Sequence, residues 1–279
     1  MKQGILFLVA TPIGNLEDVS PRALRVLQES DLIACEDTRH TSKLLSRYGI
    51  KTPRRSYHEH NEEKRTEELI QMLSEGLQIA LVSDSGTPLI SDPGYAIVSA
   101  CRREGFRVVP VPGPDAATTA LVGSGLPSDS FLFAGFLPAR SSQRKRKLEN
   151  IASVQATLIF YEAPHRILHC LADMIAVLGP RRATVARELT KIHEEFLHGT
   201  LPDLLETLYA REKIQGECVI VVERGKPVIS RIPYPDSIRE HLEQEMEKTG
   251  LPRNDVLKSI ARQRGISRKE AYKKILEEG

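Results

Sequence analysis

The chain has 279 residues, of which 41% are hydrophobic and 27% charged, and a formal net charge of +2. That length suits two domains with a small appendage. The near-neutral balance excludes a global field that would draw nucleic acid, so any such contact must come from local patches.

Ile5 to Ala10 is too short an apolar run for a signal-sequence core and reads as a first strand, followed by the loop ATPIGN. Ser20 caps a helix with Pro21 at its first position. Asp31 to Cys35 reads as a strand, and the next helix stops at Gly49. Asn61 caps a charged helix that ends near Gly76. Gln78 to Val82 is a buried strand, and SDSGTPLISDPG, Ser83 to Gly94, leaves its carboxyl end before a helix from Tyr95 to Arg103. Phe106 to Val111 is a further strand, and PGPDAATTALVGSG enters a helix of small residues. Near Leu126-Pro127 the pattern starts afresh. FLFAGF, TLIFYE, ATVARE and GECVIVVE are strands, separated by helices at about Ser141 to Ala152, Pro164 to Val177 and Pro202 to Glu212. Gly225 to Asp236 carries three prolines and reads as a linker. Asn254 caps one tail helix that ends at Gly265, and Ser267 with Glu270 has a capping-box signature for another.

Alternating strands and helices make the fold class α/β. The expected organisation is an N-terminal α/β domain over 1–122, a second over 123–226, and a linker with a basic helical C-terminal domain over 227–279. No run approaches membrane-spanning length, so no membrane association is expected. Cys35, Cys101, Cys170 and Cys218 are widely spaced and form no CxxC pair, which argues against a metal site and suits a reducing cytoplasm. There is no GxGxxG, P-loop, HExxH or GxSxG motif. His58 and His60 alternate as if on one strand face, too few ligands for a metal.

Three loops share one character. ATPIGN, SDSGTPLISDPG and VPGPDAAT each leave an apolar strand and mix Pro, Gly and small residues. If those strands are parallel, the loops gather at one sheet edge, where open α/β sheets bind ligands. Little side-chain bulk there suits close backbone approach to a flat polar ligand such as a nucleoside. Three separate structural turns are the alternative. Between Leu251 and Lys274 eight Lys or Arg face two acids. That excess fits either phosphate contact or a solvated helical face.

VATPIGNLEDVSPRAL, IACEDTRHTSKLL, SYHEHNE, SDSGTPLISDPG, VPGPDAA, FYEAPHRI and VARELTKIHEEF, in this order, resemble the ribosomal RNA small-subunit methyltransferase I family. That family lies within the tetrapyrrole-methylase-like (class III) S-adenosylmethionine methyltransferases. The resemblance runs from about Leu6 to Glu223, and the basic tail is similar to the family's C-terminal extension. Ser85 departs from the Ala expected there, a small change. The resemblance implies two α/β domains with S-adenosylmethionine in the cleft between them. It implies methylation of a cytidine ribose 2′-hydroxyl in the decoding region of 16S rRNA, in the free RNA or the assembled small subunit, by a homodimer. It places the cofactor against Pro12, Ser85, Gly86, Thr87, Ile90, Gly113, Asp115, Ala116, Tyr161, Glu162 and Leu189.

A ribose hydroxyl needs positioning and a proton acceptor. Asp37, just beyond a strand end, leads the catalytic candidates, with Arg39 and Glu59; Glu36, His58, His60 and Glu188 are further possible bases. Arg39, Arg166 and Arg187 could hold phosphates. Arg54, Arg55, the run Arg144, Lys145, Arg146, Lys147, and Arg262, Arg264, Arg268 and Lys269 of the tail are RNA-contact candidates, with Tyr57 as a base-stacking residue. Asp84 and Asp92 read equally well as organisers of their own loop. Two rival functions remain: a small-molecule, tetrapyrrole-type methyltransferase, and a non-catalytic RNA-binding assembly factor.

Overall fold

The computed structural model describes residues 4–225 and 235–278, except for the side chain of Arg262. The linker expected at Gly225 to Asp236 therefore lies largely outside the described residues. The chain forms two compact units, Met1–Pro227 and Val228–Gly279.

The first unit holds two five-stranded sheets. β1 (Ile5–Val9), β2 (Leu32–Cys35), β3 (Arg54–Ser56), β4 (Gln78–Val82) and β5 (Arg107–Val111) make the first, in the order β3-β2-β4-β1-β5. Every pair in it is parallel. The connecting helices α1 (Pro21–Glu29), α2 (Thr38–Arg47), α3 (Glu62–Ser74) and α4 (Tyr95–Arg103) cover the sheet. Successive residues of a strand point to opposite faces, so Ile33, Cys35, Ala80 and Val82 enter one core and Leu32, Ala34, Ile79 and Leu81 the other. Burial on both faces is why LIAC and ALV are continuous apolar runs rather than alternating ones. Each such side chain, removed from water, contributes roughly 1.5–3 kcal/mol.

The second sheet contains β6 (Phe131–Phe136), β7 (Thr157–Glu162), β8 (Arg182–Arg187), β9 (Glu195–Thr200) and β10 (Cys218–Val222), in the order β6-β7-β10-β8-β9. Only β6 and β7 run parallel. One face packs on α6 (Ser141–Ile151), α7 (Ile167–Leu178) and α8 (Leu201–Tyr209). The other face, with Ile159, Val219 and Val221, packs on α5 (Ala116–Gly123) and on Ile13 of the loop after β1. The small-residue composition of α5 follows from this close packing: a Cβ on Gly123 would sit 2.5 Å from the ring of Phe196.

The second unit packs α9 (Ile238–Thr249), α10 (Arg253–Gln263) and α11 (Arg268–Glu277) around Leu242, Leu257, Ile260 and Ile275. Ser237 and Ser267 cap α9 and α11. Asn254 is not a cap, since α10 already begins at Arg253. Asn61 sits at the N-cap of α3 without a capping side-chain bond; its Oδ1 accepts instead from His58 N at 2.9 Å. Two strands escaped the sequence reading. β3 is a three-residue polar edge strand, and β9 carries only Phe196 and Leu197 as apolar residues. No helix among the described residues is long and apolar enough to cross a membrane.

Candidate cofactor site

Because β4, β1 and β5 are adjacent and parallel, their three following loops meet at one edge. The first two are tied by an antiparallel bridge: Thr11 N donates to Gly86 O at 2.9 Å and Gly86 N to Thr11 O at 3.0 Å. Gly86 has φ +81, a conformation open to glycine at little cost, and a Cβ there would meet Ile13 Cγ2 at 3.4 Å. Thr87 Oγ1 donates to Pro114 O at 3.2 Å, joining the second loop to the third. Asp115 caps α5, its Oδ1 accepting from Thr118 N at 2.7 Å. Leu89 and Ser91 hold φ of 72° and 67°, backbone strain concentrated within the second loop.

These loops form one wall of a cavity of about 270 Å³. Ile13, Ser85, Gly86, Thr87, Ile90, Asp92, Asp115 and Ala116 line that side, and Phe136, Tyr161, Glu162, Cys218 and Val219 of the second sheet line the other. The Tyr161 ring meets Phe133 and Phe136 edge-on, with centroids 4.9 and 5.6 Å away. Glu162 is buried; its Oε1 accepts from Ala163 N at 2.9 Å and pairs with Arg166 Nε at 3.2 Å.

Burial pushes the Asp92 carboxyl up to about 6, reinforced by the negative charges of Glu36 and Asp84 and opposed by a hydrogen bond from Ser83. Glu36 is raised too, chiefly by burial. Asp37 goes the other way, down to about 2, because the Arg39 side chain bonds its carboxylate at 3.0 and 3.3 Å. Burial also raises the Tyr161 hydroxyl, and lifts Cys218 to about 12.

Eight of the eleven cofactor residues named from the sequence line this cavity: Ser85, Gly86, Thr87, Ile90, Asp115, Ala116, Tyr161 and Glu162. Gly113 does not line it; a Cβ there would come within 2.9 Å of Ala10 Cβ. Leu189 is packed in the core under the wall. Pro12 faces a different, smaller cavity. Ile13, Asp92, Phe136 and Val219 are cavity-lining residues that the sequence reading did not select. A carboxylate in SDPG next to one in SDSG was the available signal for Asp92.

The catalytic candidates fare differently. Asp37 caps α2 and is paired with Arg39, which is solvent-exposed, and Glu59 is exposed on the turn after β3; none of the three lines the cavity. β3 ends at Ser56, so His58 and His60 lie on that turn and not on a strand face. Tyr57 is 1% exposed, and its hydroxyl bonds Glu62 and Thr66, so it presents no surface to a base. Glu188 is engaged by Lys191 and by Glu217 N. Arg187 pairs with Glu195, and Arg166 holds Leu137 O and Glu162.

Among the basic residues, Arg144 is 3% exposed and its Nε donates to Asp173 Oδ2 at 2.7 Å. It is a core ion pair, not an RNA contact. Leu148, one helical turn on and fully buried, marks the same inward face. Lys145 also reaches Asp173, and Lys147 donates to Ala134 O and Phe136 O, while Arg146 is exposed. Arg54 and Arg55 are exposed on β3, with Arg55 paired to Glu68. Arg264 binds Pro235 O, Asp236 O and Ser237 O, a role in closing the helical unit. Arg268 is exposed and bonds Asn254; Lys269 is exposed.

A cavity floored by small-residue loops at parallel strand ends, walled by aromatics and lined by carboxylates, suits a nucleoside ligand that carries positive charge. The sequence profile of the Tetrapyrrole (Corrin/Porphyrin) Methylases matches residues 6–205. Among solved structures, a diphthine synthase superposes with a TM-score of 0.62 at 16% identity, covering 79% of this chain and 90% of that one. A uroporphyrin-III C-methyltransferase from Thermus thermophilus, complexed with S-adenyl homocysteine, superposes with a TM-score of 0.53 at 22% identity, covering 81% and 99%. Those likenesses establish the fold. In sequence, the ribosomal RNA small subunit methyltransferase I of Halalkalibacterium halodurans is 48% identical over 274 residues, covering 97% of this chain and 94% of the relative. That of Escherichia coli O157:H7 is 47% identical over 278 residues, covering 99% and 96%. The chain belongs to the tetrapyrrole methylase family and, within it, to the ribosomal RNA small subunit methyltransferase I family. It is an S-adenosylmethionine-dependent methyltransferase.

Proposed function

We propose that this chain methylates the ribose 2′-hydroxyl of a cytidine in the decoding region of 16S rRNA, acting on the assembled small subunit. The observation that carries the reading is the cavity at the parallel strand ends, in a chain nearly half identical to relatives named for small-subunit rRNA methylation. Its residues fit the cofactor. The small-residue loop Ser85 to Thr87 offers backbone groups, Ile90 and Tyr161 offer apolar contact, and Asp92 and Asp115 oppose positive charge. Bound S-adenosylmethionine supplies an electrophilic methyl on a sulfonium.

The protein's part is to hold the ribose oxygen in line and take its proton as the O–C bond forms and the C–S bond breaks. Asp92 replaces Asp37 as the proposed proton acceptor. It lines the cavity, and its pKa of about 6 leaves it ionised yet still basic near neutrality. Arg146, Arg54, Lys269 and Arg268 are exposed cations suited to phosphates. The proposed setting is the cytoplasm, with a homodimer as the working form. The unpaired edge strand β6, with Phe131 48% and Phe136 52% exposed, is a surface that a second copy could cover.

The test is methylation of small subunits lacking the modification, against free 16S rRNA, followed by mapping of the methyl group. Label on a cytidine ribose, stronger in subunits than in free RNA, is expected. Label on a base, or equal labelling of free RNA, contradicts the reading. A small-molecule methyltransferase would label neither, and a non-catalytic assembly factor would bind RNA without any methyl transfer.

A further inference from the structure

A second cavity, of about 200 Å³, shares the two bridged loops with the cofactor cavity. The Thr11–Gly86 bridge is the partition between them. Ile13, Ser85 and Gly86 face the larger cavity, whereas Pro12, Ser83 and Asp84 face the smaller. Pro12, Leu16 and Leu44 give the smaller cavity apolar walls, and His40, Lys43 and Asp84 supply its charged or titratable groups. Its volume is that of about seven waters at ~30 Å³ each, enough for one pyrimidine ring.

Asp84 is fixed in place but not saturated. Its Oδ1 accepts from Asp37 N at 2.9 Å. Its Oδ2 lies 4.0 Å from His40 Nδ1, beyond hydrogen-bond range, and so retains lone pairs for another donor. Pro12, Leu16 and Leu44 suit a flat ring, and Asp84 Oδ2 is the carboxylate acceptor among polar groups that also include the Thr41 hydroxyl, so the cavity favours a ring that carries an amine. The amine N4–H₂ of cytosine meets that requirement; uracil presents an acceptor, O4, at the same position.

We propose that this cavity holds the target base, turned out of the rRNA, with Asp84 Oδ2 accepting the exocyclic amine of cytosine. The inference rests on the ribose-methylation reading above and extends it to base selection. With the base on one side of the bridge and the cofactor on the other, the ribose lies over the partition, near Asp92. Asp84 and Asp92 belong to the same loop, and the charge of the first raises the second, so the two carboxylates sit within electrostatic reach. Lys43, at the same cavity, supplies a cation for the neighbouring phosphodiester.

The experiment compares kcat/KM on small subunits reconstituted with cytidine or uridine at the mapped position. The wild-type chain is expected to favour cytidine by roughly tenfold or more. In Asp84→Asn the side-chain oxygen can still accept from Asp37 N, and the amide offers a donor to O4. The preference should then fall below about threefold, with S-adenosylmethionine affinity by calorimetry held within about twofold. Leu16 is 41% exposed, so Leu16→Trp can fill the cavity from its solvent side. It should lower kcat/KM by about tenfold or more with cofactor affinity unchanged. Cytidine preference that survives in Asp84→Asn, or full activity in Leu16→Trp, overturns the base assignment. Should Asp84→Asn lose the cofactor, Leu16→Trp decides alone. Wild-type chain that binds S-adenosylmethionine but methylates neither subunit would sink the ribosomal reading itself.

Discussion

The two sheets serve one cavity by different means. The parallel sheet contributes loop backbone, because parallel strands require crossovers that bring successive loops to the same edge. The mixed sheet contributes side chains: Phe136 and Tyr161 from the ends of β6 and β7, and Val219 from the antiparallel β10. Loop backbone can follow the outline of a ligand closely, whereas strand side chains make a rigid wall. Damage to the first sheet's loops should therefore appear in binding, and damage to the second sheet's core in stability.

Arg144→Met tests that division with the largest effect. It leaves Asp173, which is 7% exposed, with only Lys145 and Ser141 as partners, and should cost about 3 kcal/mol of stability. Thermal unfolding reads the loss, while cofactor affinity at low temperature stays at the wild-type value. A normal melting temperature with weakened cofactor binding would break the division.

Asp92→Asn should do the opposite, gaining stability and losing function. The folded pKa of about 6 stands above the ordinary 3.8, so the folded state binds the proton more tightly than the unfolded one. Asp92 thus costs stability as pH rises: nothing below about pH 4, and the full amount above about pH 6. The nominal penalty is ~3 kcal/mol. Solvent screening at a carboxyl only partly buried reduces it to about 1 kcal/mol. The variant should melt higher than wild type at pH 8 and equally at pH 4, with methylation abolished. For the wild-type chain, activity should rise with pH through about 6. A flat profile there would remove Asp92 as proton acceptor.

Arg146→Glu should raise KM for small subunits severalfold, by about 1 kcal/mol, without changing kcat or melting temperature. Ser85→Ala is the smallest change. Its side chain is replaceable at a loop whose backbone forms the wall, so cofactor affinity should move by less than about 0.5 kcal/mol. A larger loss would show that the first sheet, too, binds through a side chain.

Most of this arrangement was legible in the sequence. Continuous apolar runs such as QIALV, each followed by a Gly- and Pro-rich loop, carry both the strand and its site-bearing end. What escaped has physical causes. β3 is RRS, polar because it is an exposed edge strand, and so lacks an apolar signature. Arg144 shares a basic run with Lys145, Arg146 and Lys147, yet the helical period sets it on the inward face of Leu148. Asp37 looked catalytic by position at a strand end, but an N-cap geometry and Arg39 two residues on fix its carboxylate locally. Pro12 follows Thr11 of the bridge and lines the smaller cavity, whereas the next residue, Ile13, lines the larger, a division that no residue pattern announces.

The most direct test of the account is a calorimetric titration of the full chain with S-adenosylmethionine, wild type against Gly86→Val. A β-branched residue at φ +81, beside Ile13 Cγ2, strains the bridge between the first two loops by about 2 kcal/mol. One cofactor bound per wild-type chain is expected, with affinity at least about 30-fold weaker in the variant, which remains folded. Equal affinity in the two chains would contradict the placement of the cofactor on the parallel-strand loops.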